Sequence, residues 1–347
     1  MTRLVVDVSG HGFGHAGQLA PVLARLRSEH PDVAFVVRSP LPPAELAAVL
    51  GVPFATAPGP PDHGLLMHDP VTVDRAASRA YYAALARDFD RLVAEDAERL
   101  RALAPDLLIS NIGFLGLAAA DRAGIPAVAL CSLDWLDVAR AYDLLEPAMI
   151  ARMEAAYRSA RLLVRLTPHL PMDWHERART VGPVARTGRR RRAELAAHLG
   201  CSPNTRIVLV AFGGIAMPRL LVEPPALAGV LWLGDRARGP GLASTEGVPF
   251  RFPDLLASVD LLITKTGYGL FAEAAAAGTP LLYLERPDWP EAPFLERWIR
   301  DHGIGAPLPK DPTALERAVR ALLDRPRPRP VAPTGVDEAV ALLATFL

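Results

Sequence analysis

Cysteine and lysine are nearly missing from this chain of 347 residues. Cys131 and Cys201 stand far apart with no C-x-x-C spacing, which excludes a disulfide framework and a thiolate zinc site. Net charge is absent too: 38 basic side chains balance 38 acidic ones, which removes the electrostatic case for nucleic acid or an anionic membrane surface. A small molecule is the expected partner. Long apolar runs are lacking as well, with none near about 18 uncharged residues, and the opening MTRLVVDVSG shows no cleavage-site pattern. The sequence therefore predicts a soluble, cytoplasmic protein without a transmembrane segment.

What is present is an alternation of apolar strands and amphipathic helices, the pattern of strand–helix–strand units in parallel sheets. Candidate strands are LVVDV (4–8), VAFVV (33–37), LLIS (107–110), AVAL (127–130) and LLVRL (162–166). A second series follows with IVLVAF (207–212), VLWLG (230–234), LLIT (261–264) and PLLYLE (280–285). The break falls at TGRRRRAEL (187–195), where four arginines begin a solvated helix. This length holds two domains, 1–186 and 187–333. The proline-rich DRPRPRPVAP (324–333) is a stiff connector, and the helix at 336–347 needs an apolar surface, which the first domain could supply. The expected architecture is α/β: two facing, doubly wound, Rossmann-like domains with a ligand cleft at the carboxyl ends of their strands.

The first strand runs into SGHGFGH (9–15). Glycines at 10, 12 and 14 permit a tight turn and close backbone approach, and His15 falls at the start of the next helix. The positive end of the helix dipole favours the neutral imidazole there, which is the form a general base needs. His11 is the second candidate. The turn lacks G-x-G-x-x-G, and VAFVV runs into Arg38 rather than an acid, so nicotinamide binding is disfavoured.

The second domain opens in the same manner, with Gly213 and Gly214 after its first strand. Its strongest stretch is LLITKTGYGLFAEAAAAGTPLLYLERPDWPEAPFL (261–295). Lys265, Gly267, Tyr268 and Gly269 lie between a strand and a helix, where free amides suit a diphosphate. Lys265 is one of two lysines against 36 arginines, a compact point charge in a chain that otherwise uses guanidinium. Glu273, one turn on, could accept from ribose hydroxyls, and Asp288, Trp289 and Glu291 follow the next strand, where acids and an aromatic face suit a sugar. Asp88 and Asp90 form a D-x-D, but in a charged helical pattern they face different ways. No metal or other cofactor is expected.

Taken together, GHGFGHA (10–16), LLVRLTPHLPM (162–172), KTGYGLFAEA (265–274) and RPDWPEAPFL (286–295) resemble the glycosyltransferase-like amino-terminal half of plant L-arabinokinases, over nearly the whole chain. The last third resembles the donor domain of GT-B glycosyltransferases. The kinase half of those fusions is missing, so the resemblance does not imply kinase activity. It implies a base at His15, with His11 in reserve, a ribose-holding Glu273 and a donor-sugar contact at Asp288 or Glu291. The family's histidine-orienting aspartate is here Asn111, which can orient an imidazole but not stabilise its charged form as a carboxylate would, so either Asp134 in CSLDWLD (131–137) substitutes or the base is weaker. The function implied is an inverting, metal-independent transferase that takes a nucleoside-diphosphate sugar, a UDP-sugar in the first instance, to a small-molecule or glycoconjugate acceptor. The alternatives are a non-catalytic nucleotide-sugar-binding regulatory module and a nucleotide-sugar epimerase.

Overall fold

The computed structural model describes residues 2–69, 72–173, 175–212, 224–225, 227–235, 237 and 239–347. They form two compact units. The first comprises residues 1–184, 289–291 and 334–347, and the second residues 185–288 and 292–333.

The first unit holds a seven-stranded parallel sheet in the order β3-β2-β1-β4-β5-β6-β7. Its strands are β1 (Arg3–Val8), β2 (Ala34–Arg38), β3 (Ala55–Thr56), β4 (Leu107–Asn111), β5 (Ala127–Cys131), β6 (Leu162–Leu166) and β7 (Ala178–Val181). The crossovers carry α1 (Phe13–Glu29), α2 (Pro43–Leu50), α3 (Arg75–Leu103), α4 (Phe114–Ala123), α5 (Trp135–Ala141) and α6 (Pro147–Ser159). Strands β1, β4 and β5 are buried almost throughout, which explains their near-continuous apolar sequences. Chain order reverses between β1 and β4, so the crevice beyond their carboxyl ends is the expected ligand position of such a sheet.

Beneath that crevice lies a fully buried Arg38. Its guanidinium donates to both oxygens of Asp7, at 2.6 and 2.7 Å, and to Asp96 at 2.9 Å. Gly116 is required beside it, since a Cβ there would stand 2.0 Å from Asp7 Oδ2.

The second unit holds a six-stranded parallel sheet, order β10-β9-β8-β11-β12-β13. Its elements run α7 (Arg192–His198), β8 (Arg206–Val210), β9 (Val230–Gly234), β10 (Leu242–Ser244), α8 (Phe252–Ser258), β11 (Leu261–Lys265), α9 (Tyr268–Ala277), β12 (Leu281–Leu284), α10 (Ala292–Asp301), β13 (Gly305–Pro307) and α11 (Pro312–Leu323). Val208, Trp232, Ile263 and Leu282 build its core with Leu315 and Val319 of α11. The proline-rich connector is fastened by Arg327, which donates to the carbonyls of Val259 and Ala257 and to Thr279 Oγ1.

The final helix α12 (Gly335–Ala344) belongs to the first unit. It packs on α1, where Arg25 meets Asp337 at 2.9 Å. The chain enters it through a close backbone crossing: a Cβ on Gly335 would lie 1.9 Å from the Gly182 carbonyl oxygen. Asp88 and Asp90 sit on exposed α3 and pair with Arg91 and Arg152, as a solvated helix face does. No helix among the described residues is long and apolar enough to cross a membrane.

Candidate active site

Three strand ends build the first unit's site. The loop after β1 is tied to its neighbours by backbone bonds, Ser9 N–H to Asn111 O and Gly10 N–H to Asp62 O, both 2.8 Å. Gly12 takes φ 125° at the start of α1, a left-handed conformation that strains any side chain. That bend brings His15 into the first turn of α1, facing Asn111 at the end of β4.

His15 Nδ1 and Asn111 Oδ1 are 2.8 Å apart. Burial lowers the imidazole pKa to about 4, against the raising effect of the Asn111 bond, so the ring is neutral at ordinary pH. Asp134 and Asn111 are the two residues the sequence offers at the place of the missing carboxylate. Asp134 caps α5 by accepting from Asp137 N–H at 2.7 Å, while Asn111 itself holds the imidazole. His11 is placed otherwise. Its Nδ1 lies 3.0 Å from the Leu65 carbonyl, and its ring stacks on Trp289 at 5.6 Å and meets the edge of Trp135 at 5.0 Å. Trp135 also meets His15, at 5.5 Å, so one indole walls both histidines. Gly64 makes room for it, since a Cβ there would fall 2.3 Å from the ring. Gly14 lies within α1, against no neighbour.

Four residues of importance were not legible as site residues. Asp62, in the proline-rich loop before α3, has a carboxyl that burial pushes up to about 7; a bond from Ser9 opposes this and the Asp7 charge adds to it. Gln18 stands one turn beyond His15 on the same face of α1, and Ser132 follows β5. Helical spacing and position at a strand end were the signals available for these two. Arg186 carried no signal, because its role depends on a long-range partner.

That partner is Glu273, in the second unit. Arg186 Nε donates to Glu273 Oε1 at 2.6 Å, and the buried Oε2 has no hydrogen-bond partner among the described residues. Burial raises the Glu273 pKa, opposed by Arg186. Glu273 sits on α9, whose N-cap is Gly267 and whose first turn contains Tyr268 and Gly269. Among the described residues no side chain caps this helix at Gly267, and the amide end of a helix suits an anion. Thr266 Oγ1 donates to Glu296 Oε1 at 2.9 Å and fixes the turn. Lys265 ends β11, its pKa lowered to about 8 by burial and by the charge of Arg286. Asp288 is exposed, and Gly213 and Gly214 lie outside the described residues.

Glu291, expected beside a donor sugar, lies in the first unit. Its Oε1 accepts from Ser132 Oγ at 2.6 Å, and its Oε2 lies 3.4 Å from Trp289 Nε1. Among the described residues no group of three His, Cys, Asp or Glu is placed to hold a metal ion.

No protein-family profile matches the chain. An L-arabinokinase of Arabidopsis thaliana is 26% identical over 324 residues, an alignment covering 87% of this chain and 30% of the relative; the chain thus spans under a third of that protein's length. Among solved structures, the calicheamicin glycosyltransferase superposes with a TM-score of 0.68 at 18% identity, covering 100% of this chain and 98% of that one. The glycosyltransferase of kitacinnamycin gives 0.67 at 16% identity, with 99% of both chains covered. A Phytolacca americana enzyme solved with UDP-2-fluoro-glucose and pterostilbene gives 0.60 at 13%, covering 100% and 94%. Two parallel α/β sheets with these strand orders, and these neighbours across the full length, give the chain the GT-B glycosyltransferase fold.

Proposed function

We propose that the protein is an inverting, metal-independent glycosyltransferase that uses a nucleoside-diphosphate sugar, with a UDP-sugar as the first donor to test. The observation that carries this reading is the buried, neutral His15, held through Nδ1 by Asn111. An imidazole bonded to a carbonyl oxygen carries its proton on Nδ1 and leaves the Nε2 lone pair to take the proton of an acceptor hydroxyl. The deprotonated oxygen attacks the anomeric carbon from the face opposite the diphosphate, which inverts the centre. Charge then develops on the leaving diphosphate, where the amides of α9 and the Lys265 ammonium stabilise it without a metal. The unpartnered Oε2 of Glu273 accepts from the ribose hydroxyls. The neighbour solved with UDP-2-fluoro-glucose supports a uridine donor. Release of nucleoside diphosphate from a panel of UDP- and dTDP-sugars, with a cell extract as acceptor source, tests the reading.

Two predictions concern the donor. Glu273→Gln loses a charge-assisted bond worth about 1.5–3 kcal/mol and keeps the side-chain shape. Calorimetry is expected to show weaker UDP binding, and the melting temperature to fall as well because Arg186 loses its ionic partner; unchanged affinity with a lower melting temperature would make Glu273 a partner of Arg186 alone. Lys265 is charged below about 8, so UDP affinity is expected to fall as pH rises through that value. Lys265→Arg, always charged, flattens that dependence.

The amide at 111 favours a second reading, a module that binds nucleotide sugars without turnover, because an amide stabilises an imidazolium less than a carboxylate does. UDP-sugar binding with no release under any acceptor condition would select it.

A further inference from the structure

The Asn111 amide is one link in a longer series of bonds. Asn111 Nδ2 donates to Gln18 Oε1 at 2.9 Å, Gln18 Nε2 donates to Ser132 Oγ at 2.8 Å, and Ser132 Oγ donates to Glu291 Oε1 at 2.6 Å. With His15 Nδ1 at 2.8 Å from Asn111 Oδ1, five side chains from α1, β4, the loop after β5 and the segment 289–291 form one row. All five are at least nine-tenths buried: His15 is 7% exposed, Gln18 4%, Asn111 0%, Ser132 1% and Glu291 3%.

The row has a direction, and only its far end can set it. An amide can turn over and exchange its oxygen for its nitrogen, a hydroxyl can rotate, and a neutral imidazole can protonate at either nitrogen. The oxygen at the far end, Glu291 Oε1, accepts from Ser132 Oγ. Ser132 must therefore give its proton to Glu291, which leaves its lone pairs to Gln18 N–H. Gln18 then turns its oxygen to Asn111, Asn111 turns its oxygen to His15, and the proton of the imidazole must sit on Nδ1. Reversing any one link leaves two donors or two acceptors facing each other in a buried place, where an unmade bond is costly.

We infer that Glu291 is a positioning residue that fixes the tautomer of His15 from four bonds away, through Ser132, Gln18 and Asn111. This rests on His15 as the base of the proposed transfer. The aspartate expected at the imidazole is replaced by two amides and a hydroxyl that carry the polarity of a more distant carboxylate. In this role Glu291 acts on the chemistry through His15, by making Nε2 the nitrogen with the lone pair.

The test reads the tautomer directly. In the full-length ¹⁵N-labelled protein, His15 is assigned among the nine histidines by the signal lost in His15→Gln, and long-range ¹H–¹⁵N correlation distinguishes a protonated from an unprotonated ring nitrogen. Wild type is expected to show protonated Nδ1 and unprotonated Nε2 at pH 7. Glu291→Gln and Ser132→Ala are each expected to move both shifts toward a mixed value, and Ser132→Thr, which keeps the hydroxyl, to restore them. Where turnover is measurable, kcat for nucleoside diphosphate release is expected to fall about 10–100-fold in Glu291→Gln, the range for losing an orienting partner, with donor KM unchanged. An Nε2-protonated wild type, or a tautomer indifferent to both Glu291→Gln and Ser132→Ala, overturns the inference. Should one variant fail to fold, the other gives the same reading. A tautomer that responds in a protein releasing no nucleoside diphosphate sustains the inference and removes the transferase reading instead.

Discussion

His15→Ala is expected to lower turnover by about 10²–10⁴-fold while nucleotide affinity stays close to wild type, because proton abstraction contributes to the chemical step and not to donor binding. His11→Ala should behave differently. His11 is wedged between Trp135 and Trp289 and fastened to the Leu65 carbonyl, so its loss loosens the wall of the site. Its kcat and KM are expected to change together. Initial-rate measurements on both variants, beside UDP calorimetry, separate the two roles. A His15→Ala protein at full rate ends the mechanism, and a His11→Ala protein with the loss confined to kcat transfers the base to His11.

The second large effect is on stability. Arg38→Ala removes the guanidinium that answers both Asp7 and Asp96, and breaking a buried pair by deleting one partner costs about 3–5 kcal/mol. Asp96 is already pushed up to about 6 by burial, with Arg38 opposing. Without Arg38 that opposition disappears and the Asp96 pKa climbs further. A group with a raised native pKa contributes stability below its unfolded value and loses it as pH rises through the native one. The variant is therefore expected to lose most at pH 8 and least near pH 4. Urea melts at both pH values check this; a uniform loss under about 1 kcal/mol at pH 8 would show that the cluster relaxes by taking in water.

The order of strands and helices was legible because buried parallel strands are written as uninterrupted apolar runs. LLVRL lies wholly in β6, and VLWLG matches β9 from Val230 to Gly234. Strands β3, β7, β10 and β13 escaped because, at two to four residues and partly exposed on the sheets' outer positions, they carry no such run. In the site, His15 and Glu273 were visible from local context alone, a histidine after a glycine-rich turn and an acid one turn into a helix. Asn111 was visible too, as an amide able to orient an imidazole, but sequence cannot show that this amide is bonded to Gln18 and through it to Ser132. Asp62 could not be found because its raised pKa comes from burial by residues distant in the chain.

The first unit is assembled from three stretches of chain, and the ribosome delivers them at different times. Residues 1–184 emerge first, but Glu291 appears more than a hundred residues later and α12 after that. A nascent chain paused before 291 would already hold His15, Asn111, Gln18 and Ser132, yet its serine hydroxyl would lack the acceptor that gives the row its direction. The imidazole would be present but not yet committed to one protonation pattern. If the row acts as inferred, the protonation pattern of His15 is settled only after residue 291 has been made, with α10, β13, α11 and α12 still to follow.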